Sequence, residues 1–210
     1  MANTFYVVMN KTTLTATALL VAGLTKMYAG PSTFTLDSKL FVFDPGKTGI
    51  VSAKWVDKEG LADSGNDLAN GKPGKALVLK KLGATSTNAS AGASIFGVEW
   101  INIRELGFDI RGDGHCGAGA PRFNVVTADG VLHFCGCSGA AGHTAFTDPQ
   151  GRSWTRVRFS GADCFPPINP TDVVLTIDLV FDEGTDTGPD NTGTATLDNI
   201  DVNGTFIEKE

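Results

Sequence analysis

The sequence predicts an all-β fold, a two-sheet antiparallel β-sandwich of jelly-roll-like form. Three observations carry this. Two-residue apolar alternation recurs along the chain, and no window sustains a 3.6-residue period. Two tight-turn signals, Asp129-Gly130 and Asn203-Gly204, stand between extended segments. The remaining connections are long and rich in Gly, Asn, Asp, Ser and Pro, as strands that cross between two sheets require.

The elements follow in order. Residues 34–43 form an extended run, and Val51 to Val56 and Lys75 to Leu82 add two more. In 104–111, Leu106, Phe108 and Ile110 turn inward while Glu105, Asp109 and Arg111 turn outward. Residues 121–127 and 131–135 flank Asp129-Gly130, which reads as a type I′ hairpin. Residues 154–159 make a further strand. In 172–181, Val173, Leu175, Ile177, Leu179 and Phe181 share one face, with Asp172, Thr176 and Asp178 on the other. Residues 194–202 lead through Asn203-Gly204 into 205–207. The stretches 57–74, 83–94, 112–120, 138–152, 160–171 and 182–193 are read as connections.

Composition bounds the function. Of 210 residues, 41% are hydrophobic, enough for a packed core. The net charge of −6, without a basic tract, excludes binding nucleic acid through its phosphates. No uncharged apolar run after the N-terminal segment is long enough to span a bilayer.

Residues 1–30 carry no acid, whereas all 23 carboxylates lie at Asp37 or later. Lys11, then the apolar stretch Leu14 to Leu24, then small residues ending at Ala29 and Gly30, have the order of a secretory signal. Met9 offers a tidier start to it. The expected organisation is therefore an export segment over 1–30 and a single sandwich over 31–210, located outside the cell.

In an exported chain the four cysteines read as two disulfides. Cys135 and Cys137 point to one side of a strand, too far apart to join without strain. Two pairings remain: 116–137 with 135–164, or 116–135 with 137–164. His115, His133 and His143 are interleaved with these thiols, but no C-x-x-C pair gives zinc spacing.

The run Cys116-Gly-Ala-Gly-Ala-Pro-Arg-Phe-Asn-Val-Val-Thr127, followed by Asp129-Gly130, His133-Phe134 and Gly136-Cys137, resembles a family of secreted bacterial proteins of unknown function. Its members carry a similar segment with a Gly-Cys about twenty residues on, which implies a Cys116–Cys137 bridge and leaves Cys135 and Cys164 as a second pair. The ending Leu197-Asp-Asn-Ile200 more loosely resembles jelly-roll carbohydrate-binding modules.

Two surfaces are candidate sites. Period two puts Trp154, Arg156 and Arg158 on one face, an aromatic platform beside two guanidinium groups that suits a sugar ring. The plainer alternative has Trp154 covering the core edge and the arginines paired with acids such as Asp109. The acidic stretch holding Asp182, Asp186 and Asp190, with Asp198 across the turn, offers oxygen ligands for calcium. Its plainer alternative is a solvated turn. Glu99, Glu105, Asp109 and Asp113 are the acids that a glycosidase pair would draw on, and no G-x-S-x-G nucleophile elbow occurs. The expectation is a secreted, non-catalytic module that binds extracellular polysaccharide or cell-surface glycan, with structural calcium. The alternatives are a self-associating structural or adhesive subunit and, behind it, a glycan-active hydrolase.

Overall fold

The computed structural model describes residues 35–62, 72–85, 88–182 and 192–207. All of them belong to the unit Thr35–Glu210. The export segment expected over 1–30 lies outside the described residues.

Twelve strands are seen: β1 Asp37–Phe43, β2 Val51–Val56, β3 Ala76–Leu82, β4 Ser90–Phe96, β5 Leu106–Arg111, β6 Arg122–Thr127, β7 Leu132–Gly136, β8 Gly142–Thr147, β9 Ser153–Phe159, β10 Val174–Phe181, β11 Thr192–Val202 and β12 Thr205–Phe206. The only helical turns among the described residues are two 3-10 turns, Cys137–Gly139 and Gly161–Asp163. One sheet runs β1-β4-β10-β6-β7. The other runs β2-β3-β11-β5-β9-β8, with β12 paired to β11. Every pairing is antiparallel. The chain changes sheet at most connections, and those loops carry it across the sandwich; the long 57–75 connection is an exception, since β2 and β3 pair in one sheet. No helix among the described residues is long and apolar enough to cross a membrane.

The inner faces meet in an aromatic and aliphatic core. Phe108 and Phe159 from one sheet close on Phe123 from the other, with ring centroids 5.6–5.9 Å apart. Leu77, Leu79, Leu106, Ile177, Leu179, Phe181 and Leu197 fill the rest and are almost wholly buried. Burying one such side chain contributes about 1.5–3 kcal/mol.

Two strands escaped the sequence pattern. Residues 83–94 and 138–152 were expected as connections, yet they hold most of β4 and all of β8. β4 is made of Ser, Ala and Gly with few large residues to signal a strand. It is nevertheless central to its sheet, and Ala91 and Ala93 are fully buried beneath their larger neighbours. β8 is an edge strand with hardly any buried face, so it has no alternation to read.

Backbone irregularities correct two finer expectations. A register shift between Val174 and Thr176 turns the inward face to Val174, Ile177, Leu179 and Phe181, so Val173 and Leu175 do not share it. In the β6–β7 loop only Gly130 takes positive φ, 83°, while Thr127 N–H donates to the Val131 carbonyl at 3.0 Å. This is a three-residue loop with a glycine bulge rather than a type I′ turn. Asn203-Gly204 does have both residues at positive φ, 57° and 84°, and joins β11 to β12 as a two-residue turn.

The disulfides join Cys116 to Cys137 and Cys135 to Cys164, closing loops with separations of 21 and 29 residues. No cysteine is free. Each closure stabilises by about 3 kcal/mol in the chain-entropy account.

Candidate functional site

The expected platform on β9 is half-formed. Trp154, Arg156 and Arg158 do share the outer face of their sheet, but Trp154 is fully buried and offers no surface to a sugar. Its indole N–H donates to Asp148 Oδ2 at 2.9 Å, and the Arg152 guanidinium lies over its ring at 5.6 Å. Arg152 in turn donates to the carbonyls of Lys58, Glu59 and Gly60, while the Leu61 N–H donates to Asp198 Oδ2 at 2.6 Å. The segment that follows β2 is thus strapped over this face. The cover comes from residues almost a hundred positions away, so the local pattern of β9 carried no sign of it.

The arginines follow the plainer alternative. Arg156 donates twice to the buried Asp109, at 3.0 and 2.9 Å, and stacks over Phe146. Arg158 lies flat across β5, where Gly107 leaves room: a Cβ there would meet its Cδ at 2.5 Å. From that position it approaches Asp109, Asp201 and Glu105 at 3.5–3.8 Å. Asn199, at the bulge in β11, completes the cluster by donating to Asp109 at 3.0 Å. Burial pushes the Asp201 carboxyl up to about 6, and the neighbouring Glu105 adds to the rise against the Gly204 N–H and Arg158. Burial would likewise raise Asp148, but the Arg152 N–H, its guanidinium and the Trp154 indole outweigh it and hold that carboxyl below 3.8. These groups are committed to each other, and Arg152 and Asp198 hold the strap.

The opposite outer face is different. On the five-stranded sheet a groove of about 410 Å³ runs across the strands. Phe41 and Phe43 of β1 wall one side, and Phe43 is half exposed. The floor is small: Ser90 and Ser94 with Val180 between them, while Gly92 leaves room for the Phe41 ring to lie on the sheet, since a Cβ there would strike that ring. Asp178, Asn124 and Arg122 line the far side. Register places them together, since Asp178 lies opposite both Ser94 and Asn124. Arg122 is fixed by a two-pronged pairing with Asp182, at 2.5 and 2.7 Å, and by its Nε donating to Asn124 Oδ1 at 2.8 Å. It also covers the Phe134 ring at 5.6 Å. Asp178 has no hydrogen-bond or ionic partner among the described residues. The result is an aromatic wall beside a floor of serines and valine, with one open carboxylate among the described residues, the makeup of a site for a hydroxylated ring.

Sequence reasoning missed this groove because its residues come from four strands, one of them the unread β4. One signal was present: Phe41 and Phe43 sit two apart and so share a face with Lys39.

Of the four acids expected to hold calcium, the two described ones lie on different sheets. Asp182 belongs to the groove, and Asp198 lies on the outer face of the other sheet, accepting from Leu61 and Asn199 N–H. Asp186 and Asp190 lie outside the described residues. No cluster of three metal-ligating side chains occurs among the described residues. Of the glycosidase candidates, Asp109 and Glu105 belong to the arginine cluster, and Asp113 accepts from Arg111 at 2.7 Å. Glu99 lies in the turn after β4.

The sequence matches no family model and no curated protein. Among solved structures the chain is similar to a β-1,2-glucanase from Parabacteroides distasonis, with 17% identity and a TM-score of 0.44 over 80% of this chain. It spans only 24% of that protein. The class that the coordinates define is a disulfide-linked two-sheet β-sandwich, and two disulfides are a feature of proteins in an oxidising environment.

Proposed function

We propose that this is a secreted, non-catalytic β-sandwich module that binds extracellular glycan in the groove of its five-stranded sheet. The observation that carries the reading is the groove itself: the half-exposed Phe43 and the Phe41 beside it face Asp178, Asn124 and the fixed Arg122 across a floor of Ser90, Ser94 and Val180. The aromatic wall stacks on the apolar face of a pyranose, and the polar side pairs with its hydroxyls. The carboxylates support a binding role. Asp182 is held by Arg122, which leaves Asp178 as the one open carboxylate among the described residues of the groove, where glycoside hydrolysis needs two working acids.

Gel electrophoresis through neutral polysaccharides such as β-glucan, xylan or mannan tests this. The wild-type chain is expected to be retarded by at least one of them, and Phe43→Ala with Asp178→Ala to migrate as in plain gel. Free migration of the wild type in every gel, or equal retardation of the variant, refutes it.

Structural calcium is proposed separately, for the acidic sequence stretch holding Asp182, Asp186 and Asp190. A thermal melt in millimolar calcium is expected to show a raised midpoint, because an ion bound only by the folded form stabilises it. An unchanged midpoint removes the ion.

A further inference from the structure

We infer that the groove continues onto an aromatic ledge built by the Cys135–Cys164 disulfide, so that the site takes an extended chain of neutral sugars rather than a single ring. The inference rests on the glycan-binding reading above.

The ledge begins at Phe134, 39% exposed, beside the groove under Arg122. Past β7 the sheet gains one more residue pair. Phe165 N–H donates to the Phe134 carbonyl at 2.8 Å, and Phe134 N–H to the Phe165 carbonyl at 2.9 Å. The next pair along is Cys135 and Cys164, both buried and joined by the disulfide. On the other side, His133 Nδ1 donates to the Pro166 carbonyl at 2.7 Å. Three consecutive links therefore clamp this loop to the edge of β7. Opposed residues of an antiparallel pair share a face. With the cysteines turned inward, Phe134 and Phe165 both face outward, on the side of Arg122 and Asn124.

Phe165 is 79% exposed. Rigidly holding an unburied phenylalanine gives nothing to the core, whereas it preorganises a stacking surface. From Phe41 on β1 to the clamped loop the face crosses five strand spacings, about 24 Å, several sugar rings end to end. The charge along it is also informative. Arg122 is neutralised by Asp182, and Asp178 remains open, so the described groove lining offers no unpaired cation to a uronate or sulfated sugar and accepts hydroxyls.

Calorimetry on the full chain tests this, using the neutral polysaccharide retained above as a ladder from disaccharide to hexasaccharide. Affinity is expected to tighten about tenfold along the ladder, the scale of one added aromatic contact. Phe165→Ala is expected to abolish that gain while leaving disaccharide affinity within about twofold. The double change Cys135→Ser with Cys164→Ser is expected to do the same. If that pair fails to fold, Phe165→Ala with an unchanged melt decides alone. A flat ladder overturns the ledge and leaves the glycan reading standing, whereas no binding to any sugar overturns both. Tighter binding of polygalacturonate than of any neutral chain overturns the neutral class. A dimer in light scattering that Phe165→Ala dissolves, with sugar affinities unchanged, assigns the ledge to a second copy instead.

Discussion

Asp201→Asn is expected to stabilise this protein at alkaline pH and to do nothing in acid. Asp201 is 2% exposed, sits over Gly107 on the strapped face, and shares its surroundings with Glu105. Its carboxyl is raised from 3.8 to about 6. A raised carboxyl means that the folded state holds the proton more tightly than the unfolded one. The stability it confers is therefore complete below 3.8 and is lost as pH climbs through about 6. That gap corresponds to a ceiling of about 3 kcal/mol. Arg158, 3.7 Å away, favours the charged form and survives the substitution with one fewer anion to pair, so about 1–2 kcal/mol is the expected net gain. Asparagine reproduces the protonated group: its Oδ1 still accepts the Gly204 N–H, now bonded at 2.7 Å, and its amide donates toward Glu105. The assay is thermal melting of both proteins between pH 4 and 8. The variant is expected to melt about 3–6 °C higher at pH 8, with the difference closing toward pH 4. A variant that melts lower at pH 8, or a difference that does not change with pH, refutes the reasoning and means that the attraction of Arg158 for the charged carboxylate outweighs the cost of burying it.

Three further predictions follow from the same geometry. Trp154→Phe removes the N–H donated to Asp148 and is expected to cost about 1–3 kcal/mol in urea unfolding, yet leave polysaccharide retardation unchanged. Weakened sugar binding with an unchanged melt would return the platform to β9. Asp109→Ala leaves Arg156, Arg158 and Asn199 facing an emptied site and is expected to cost about 3–5 kcal/mol, read from the denaturant midpoint; a loss below about 1 kcal/mol would show that the cluster does not hold β5, β9 and β11 together. Asp148, whose carboxyl is held below 3.8, contributes stability that is present above 3.8 and lost as pH falls beneath it. Asp148→Asn should accordingly show a flatter acid limb than the wild type in a pH-dependent melt, and parallel limbs would count against this assignment.

Much of the sandwich was legible because alternation is a local property. Leu106, Phe108 and Ile110 faced inward as their spacing demanded, and Asn203-Gly204 turned as its two residues permit. Legibility ended where the signal was absent or displaced. β4 lacks large residues because its neighbours supply the bulk, and β8 has no buried face to mark. One extra residue near Leu175 shifted the phase of β10, and a bulge of that kind leaves no trace in composition.

By itself, then, the sequence determined the β class, the acidic balance and the supply of four cysteines, all of which depend on residue type and near-neighbour spacing. Only the tertiary structure decided which aromatic rings meet solvent. Trp154 vanished beneath a strap anchored by Arg152 and Asp198, while Phe43 and Phe165, ordinary apolar residues in the sequence, were left outside. The reason is physical: exposure is a property of what lands on top of a residue, and here the covering segment arrives from a distant part of the chain.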